Sequence, residues 1–217
     1  MFVATMGYRD VIAQSTTYLS NVAEPSSGFA LVASDSWQAG QFRTGNNPNG
    51  YRLTSAQILL SPTIGNPGAL NVSIYNDMFD GNILQRVPNT SIGSLVGSNP
   101  FAPGINTFTN AGIVLSPLSR YFVVVTSDTP VGQGSFKWNI SATSSYDSPA
   151  DWFLGGLGYD STDGDTWSVT RPRMFQFSIN AIAVVPEPSS QVLLGIGGSF
   201  LFTRLARKPW SKALRWP

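Results

Sequence analysis

The segment Asp160-Ser-Thr-Asp163-Gly-Asp165 gathers three carboxylates within six residues, and hard cations such as calcium favour clustered carboxylates. It lacks the alternate-residue spacing of an EF-hand and the closing bidentate Glu. Asp163-Gly164 reads more simply as a hairpin turn between Leu157-Gly158-Tyr159 and Trp167-Ser168-Val169. No metal and no other cofactor is therefore expected. Asp147, Asp151, Asp160 and Asp165 lie close enough in sequence to suggest the two acids of a glycoside hydrolase. All four fall in Gly- and Ser-rich connections, where a carboxylate usually solvates a turn. The chain has no His and no Cys, which removes Ser-His-Asp triads, thiolate nucleophiles and the usual zinc ligands together. Trp37, Trp138, Trp152 and Trp167 are of the type that stacks on sugar rings. Trp138 alternates with Phe136 and Ile140 and is expected in the core. Trp152 and Trp167 are the better candidates for an exposed platform, although burial is the commoner fate of such residues.

The elements that must position these residues read as strands. ALNVSIYND (69–77) alternates Leu70, Val72 and Ile74 against Asn71, Ser73 and Tyr75, the period-two signature of a half-buried strand. RYFVVVTSD (120–128) is a continuous apolar run, as a central strand requires. GSFKWNISATSS (134–145) sets Phe136, Trp138 and Ile140 against Lys137, Asn139 and Ser141. RMFQFSINAIA (173–183) repeats the device with Phe175, Phe177, Ile179 and Ala181. YRLTSAQILL (51–60) is expected to end at a Ser61-Pro62 break. Turns are expected at Gly45–Gly50, at Asn66-Pro67-Gly68 and at Asp80-Gly81-Asn82, where Asn and Gly supply positive φ. No segment before residue 188 has a helical apolar period. The expectation is an all-β fold, an antiparallel β-sandwich of jelly-roll type with about eight to ten strands over residues 16–184.

Composition supports this. Only 12% of the 217 residues are charged, and Gly and Pro together number 36, a mix that favours short strands and turns over helices. The net charge of +1 hides a split. Residues 1–183 hold eight Lys/Arg and eleven Asp/Glu, whereas residues 204–217 hold five Lys/Arg and no acid. The body has no basic surface for nucleic acid, so none is expected as a partner. MFVATMGYRDVIAQS lacks a basic start, and Arg9-Asp10 interrupts its apolar stretch, yet Val11-Ile12-Ala13 resembles the small-residue end of a cleavage site. Residues 1–15 are therefore expected to be the remnant of a leader behind a misplaced start codon.

After Val184 the chemistry changes. Pro186 and Pro188 fix φ and remove two donors, so a strand cannot run through them. Ser189 to Thr203 are uncharged, with Val192, Leu193, Leu194, Ile196, Phe200, Leu201 and Phe202 as the apolar set. As a helix this run is about 22 Å long at ~1.5 Å per residue, against a hydrocarbon core of about 30 Å. It is expected to span as a single short transmembrane helix with Arg204 and Lys208 snorkelling. Cations directly after it place the basic tail, 204–217, in the cytoplasm and the body outside.

Val185-Pro186-Glu187-Pro188-Ser189-Ser190, the apolar run and then Arg204, Arg207 and Lys208 resemble the PEP-CTERM sorting signal of Gram-negative bacteria. The apolar run is shorter and richer in glycine, and the basic tail longer, than that pattern usually has. The resemblance implies a signal over residues 185–217, with Pro186, Glu187 and Pro188 recognised by an exosortase, an integral-membrane cysteine protease. It implies residence in the membrane, then release or re-anchoring at the cell surface. Residues 27–183, with QFRTGNNPNGYRLTSAQILLSP and the strands above, resemble the choice-of-anchor ectodomains of type R, to which no activity is securely attached. The function expected is a non-enzymatic surface or matrix protein associated with exopolysaccharide or the cell envelope. The alternatives are a carbohydrate-binding module using exposed aromatics and, behind it, a carboxylate-based hydrolase. The sequence does not indicate an oligomeric state.

Overall fold

Alternating β-branched and aromatic residues, punctuated by Asn, Pro and Gly, fold into strands throughout the computed structural model. It describes residues 14–81, 85–100, 102–110, 112–170 and 173–185. Thirteen strands form among them: β1 Thr16–Ser20, β2 Ser26–Val32, β3 Trp37–Arg43, β4 Tyr51–Gly65, β5 Leu70–Asp80, β6 Gln85–Leu95, β7 Gly104–Thr109, β8 Val114–Leu115, β9 Arg120–Ser127, β10 Gly134–Ser141, β11 Phe153–Ser161, β12 Ser168–Thr170 and β13 Phe177–Ala183. The described residues contain no helix, and every strand pairing is antiparallel.

Two sheets result. One has seven strands, with the path β1-β13-β4-β10-β2 and with β7 and β8 also on β4; the other runs β12-β11-β3-β9-β5-β6. Early strands pair with late ones, as β1 with β13, β2 with β10 and β3 with β9 and β11. Strand β4 is the spine of the first sheet. One edge binds β13 and then β10, and the other binds β8 and then β7.

The inner faces of both sheets share one apolar core. Leu53, Ile58, Phe136, Trp138, Phe177 and Ile179 from one sheet pack with Phe42, Val72, Ile74 and Val123 from the other. This is the interdigitated arrangement of two facing sheets. Continuous apolar β9 occupies an interior position, as expected: Tyr121, Val123 and Val125 join the shared core. Phe122 and Val124 join a second cluster on the opposite face with Ala39, Val87, Tyr159 and Trp167.

Three expectations are corrected. More strands form than eight to ten, because short pieces such as β8 and β12 pair along longer neighbours. Strand β4 does not stop at Ser61-Pro62. Ser61 pairs with Lys137 and Ile64 with Ser135, so Pro62 and Thr63 oppose the single residue Phe136. That bulge accepts a residue without an N–H. Finally, the strand expected from residue 173 begins only at Phe177. The cause is a buried polar staple: the Gln176 amide donates to the Asn21 and Glu24 carbonyls at 3.2 and 2.6 Å. The Trp138 indole N–H donates to the Gln176 carbonyl at 2.9 Å. With these groups satisfied by other segments, Gln176 is fully buried without a ladder partner in β13.

A candidate binding groove on the six-stranded sheet

Period-two alternation sends Asn71, Ser73 and Tyr75 of β5 to the outer face of the six-stranded sheet, because Leu70, Val72 and Ile74 fill the core. The same rule puts Trp37 of β3 and Val124 and Thr126 of β9 on that face. Together with Ser34, Ser94 of β6, Ser127 and Asp128 they line an open groove of about 480 Å³.

Its aromatic walls are fixed from behind. The Trp37 indole N–H donates to the Ser34 carbonyl at 2.9 Å, and the ring backs onto Gly164. A Cβ there would come within 2.7 Å of the ring, and Gly164 has φ +82°. Tyr75 is partly buried on the same face. Burial first, and the Asp165 carboxylate second, push its phenol above the usual tyrosine range, so it stays a neutral hydrogen-bonding group at ordinary pH.

The polar floor is also pre-arranged. The Asn71 amide donates to the Asp128 carboxylate at 2.6 Å. The Ser73 and Ser94 hydroxyls lie 3.1 Å apart, and Thr126 donates to the Ala33 carbonyl at 3.0 Å. Two aromatic rings beside hydroxyl, amide and carboxylate groups suit a neutral polyol, with ring faces for C–H surfaces and polar groups for hydroxyls. Asp128 is the one carboxylate among the lining residues, whereas glycoside hydrolysis needs two acids facing each other.

The sequence candidates fall elsewhere. Trp152 and Trp167 are only 2% and 4% exposed, so burial, the commoner fate, holds for both and neither forms the exposed platform for which the sequence makes them the better candidates. Trp152 lies parallel to Phe42 with centroids 5.9 Å apart and meets the edge of Tyr51 at 4.9 Å. It is Phe153, its neighbour, that faces outward, because alternation through β11 places Trp152 and Leu154 on the core side. Trp167 fills the second apolar cluster. Trp138 is fully buried, stacked on Phe175 at 4.2 Å.

The loop between β11 and β12 is a hairpin turn, as the sequence indicates. The Asp163 carboxylate accepts from the Thr166 and Asp165 backbone N–H groups at 2.8 and 2.9 Å and from the Ser161 hydroxyl at 2.9 Å. These bonds, with the Thr166 N–H foremost, hold its pKa down at about 2. They converge on one oxygen, Oδ1, which serves as the cap of the turn. Among the described residues no three acidic groups are arranged to hold a metal ion.

The other tempting carboxylates do not converge. Asp147 pairs through its backbone with Ser20, Asp151 is exposed, and Asp160 accepts a hydrogen bond from Thr170. The sorting residues Pro186, Glu187 and Pro188, the apolar set from Val192 to Phe202, the cations Arg204, Arg207 and Lys208, and most of the 1–15 leader remnant lie outside the described residues.

Sequence reasoning named Trp37 and read Tyr75, Ser73 and Asn71 onto one face, yet it did not join them. The link is the register of β3, β9 and β5, which aligns Val125 with both Gln38 and Val72. The chain matches no family model and no curated protein sequence.

Proposed function

We propose that this chain is a non-enzymatic, exported surface or extracellular-matrix protein of a Gram-negative bacterium, sorted through a C-terminal signal of the PEP-CTERM type. One observation carries the reading: Pro186-Glu187-Pro188, an uncharged apolar run and a cationic cluster follow one another in the last 33 residues. A rigid, donor-poor Pro-Glu-Pro just outside a bilayer is easily gripped by an exosortase. The run centred on Val192, Leu193, Leu194, Ile196, Phe200, Leu201 and Phe202 anchors the protein until it is cut, and Arg204, Arg207 and Lys208 stop transfer. The body, a sandwich of jelly-roll type, then stands outside the cytoplasm. Expressed with its cognate exosortase, the protein loses its tail, and Glu187→Ala or Pro188→Ala accumulates uncut in the membrane fraction. Equal processing of wild type and variants on immunoblots overturns the assignment.

A second, compatible reading is favoured by the groove of Trp37, Tyr75, Asn71 and Asp128: the body holds extracellular glycan, in keeping with an exopolysaccharide-associated role. Trp37→Ala and Asn71→Ala are each expected to weaken glycan capture about tenfold or more on an array while circular dichroism stays that of the wild type. Capture that is indifferent to both substitutions removes the groove from the account. Turnover of a glycan that survived purification would overturn the non-enzymatic reading.

A further inference from the structure

At the other end of the same sheet face, Arg43 of β3 stands directly opposite Arg120 of β9. Cross-strand neighbours have Cβ atoms about 4.5–5.5 Å apart, and like charges there repel. The fold nevertheless enforces the pairing. Buried Thr44 donates to the Ser116 carbonyl at 2.6 Å and accepts from the Ser119 N–H at 2.9 Å, and its own N–H reaches the Ser119 carbonyl at 3.0 Å. Leu118, inside that turn, is held at φ +51°, the left-handed region that a branched side chain seldom enters. Strain of this kind persists where the surroundings over-determine it, and it clusters at functional sites.

A third guanidinium completes the cluster. Arg86 of β6 lines the same cavity, paired with Asp77 at 3.1 Å and set over the Phe79 ring at 5.9 Å. The cavity is about 290 Å³ and is bounded by Arg43, Asp77, Arg86, Leu118, Ser119 and Arg120. Three cations against one acid make it locally cationic in a body whose acids outnumber its bases. The Nε of Arg43 is itself buried with no hydrogen-bond partner, a charged donor that is costly to leave unpaired. An oxyanion held in the cavity offsets that charge. It sits between two guanidinium forks, screens their repulsion and accepts from them in pairs. A nucleic-acid backbone is a poor fit, since it needs cations spread along a surface.

We propose that this cavity binds the oxyanion of an acidic saccharide, a uronate carboxylate or a sulfate ester, with Arg43 and Arg120 as the forks and Arg86 as the third donor. The saccharide part of the proposal rests on the glycan reading of the same sheet face. The test is calorimetry on the full chain in a neutral detergent at constant ionic strength. The probes are tetragalacturonate, the uncharged galactose tetramer and sodium sulfate.

Wild type is expected to bind tetragalacturonate at least tenfold tighter than the neutral tetramer, with sulfate competing. Arg120 is exposed, so Arg120→Gln folds; it should erase the preference, and Arg120→Lys should retain only part of it. Arg43→Gln serves as the second variant. Without added anion Arg120→Gln should melt no lower than wild type, because a repulsion is relieved. Equal binding of the acidic and neutral tetramers by wild type, or a preference that survives both Gln variants, overturns the proposal. Sulfate binding without tetragalacturonate binding overturns its saccharide source. Failure of the groove reading shows separately, as a Trp37→Ala chain with unaltered binding of the neutral tetramer.

Discussion

Asp163 illustrates how a single carboxylate organises the face on which the groove lies. Its hydrogen bonds to Thr166, Asp165 and Ser161 favour the ionised form and hold the folded pKa at about 2, below the ~3.9 of an unperturbed aspartate. The sign follows from linkage: a lowered folded pKa gives stability that is fully present above the unfolded value and is lost as pH falls through the folded one. Thermal melts of wild type and Asp163→Asn are therefore expected to differ most at pH 5 and to converge between about pH 4 and 2. A constant gap would show that charge is not the stabilising element. Next to it, Gly164 meets two demands, a φ of +82° and room for the Trp37 ring. Gly164→Ala is expected to cost about 1 kcal/mol or more and to displace Trp37, so glycan capture should fall in parallel with the melting temperature. Capture that stays at the wild-type level would uncouple the turn from the groove.

Elements of this fold are held by strand pairing over long sequence distances, with aromatic residues at the seams. Trp138 of β10 is the clearest case. It is fully buried, stacked on Phe175, and its indole N–H satisfies the carbonyl of Gln176, a residue that sits outside the ladder. Trp138→Ala is expected to lower stability by about 3–5 kcal/mol in urea titrations, and Trp138→Phe by less, since it keeps most of the volume and the Gln176 carbonyl still accepts from the Leu59 N–H at 3.2 Å. A cost below 1 kcal/mol for the alanine variant would mean that the seam between β10 and β13 does not depend on it. The bulge at Pro62 is subtler. A proline in a sequence run looks like a stop, but here it occupies the one place in β4 where two residues oppose one.

At the scale of the whole molecule, β13 closes the body of the described residues by pairing with both β1 and β4. A chain ending after Val184 is expected to melt cooperatively with the sheet content of the full protein. One ending after Gln176 should not fold, because β1 loses its neighbour and β4 loses half of one edge. A folded product from the shorter chain would refute that dependence. The sequence by itself determined the secondary-structure class, the alternation that separates Leu70, Val72 and Ile74 from Asn71, Ser73 and Tyr75, and the hairpin at Asp163-Gly164. Those are local properties, set by side-chain period and by φ preferences. It also carries the succession of Pro-Glu-Pro, apolar run and cations on which the sorting proposal stands. Only tertiary structure decided that Trp138, Trp152 and Trp167 are buried while Trp37 is half-buried, that Pro62 lies within a strand, and that Trp37 shares a face with Tyr75 while Arg43 opposes Arg120. Each of these depends on registers between strands whose paired residues lie from 45 to 87 positions apart along the chain. Period two tells which residues share a face of one strand; it does not tell which strands lie side by side, or what covers them.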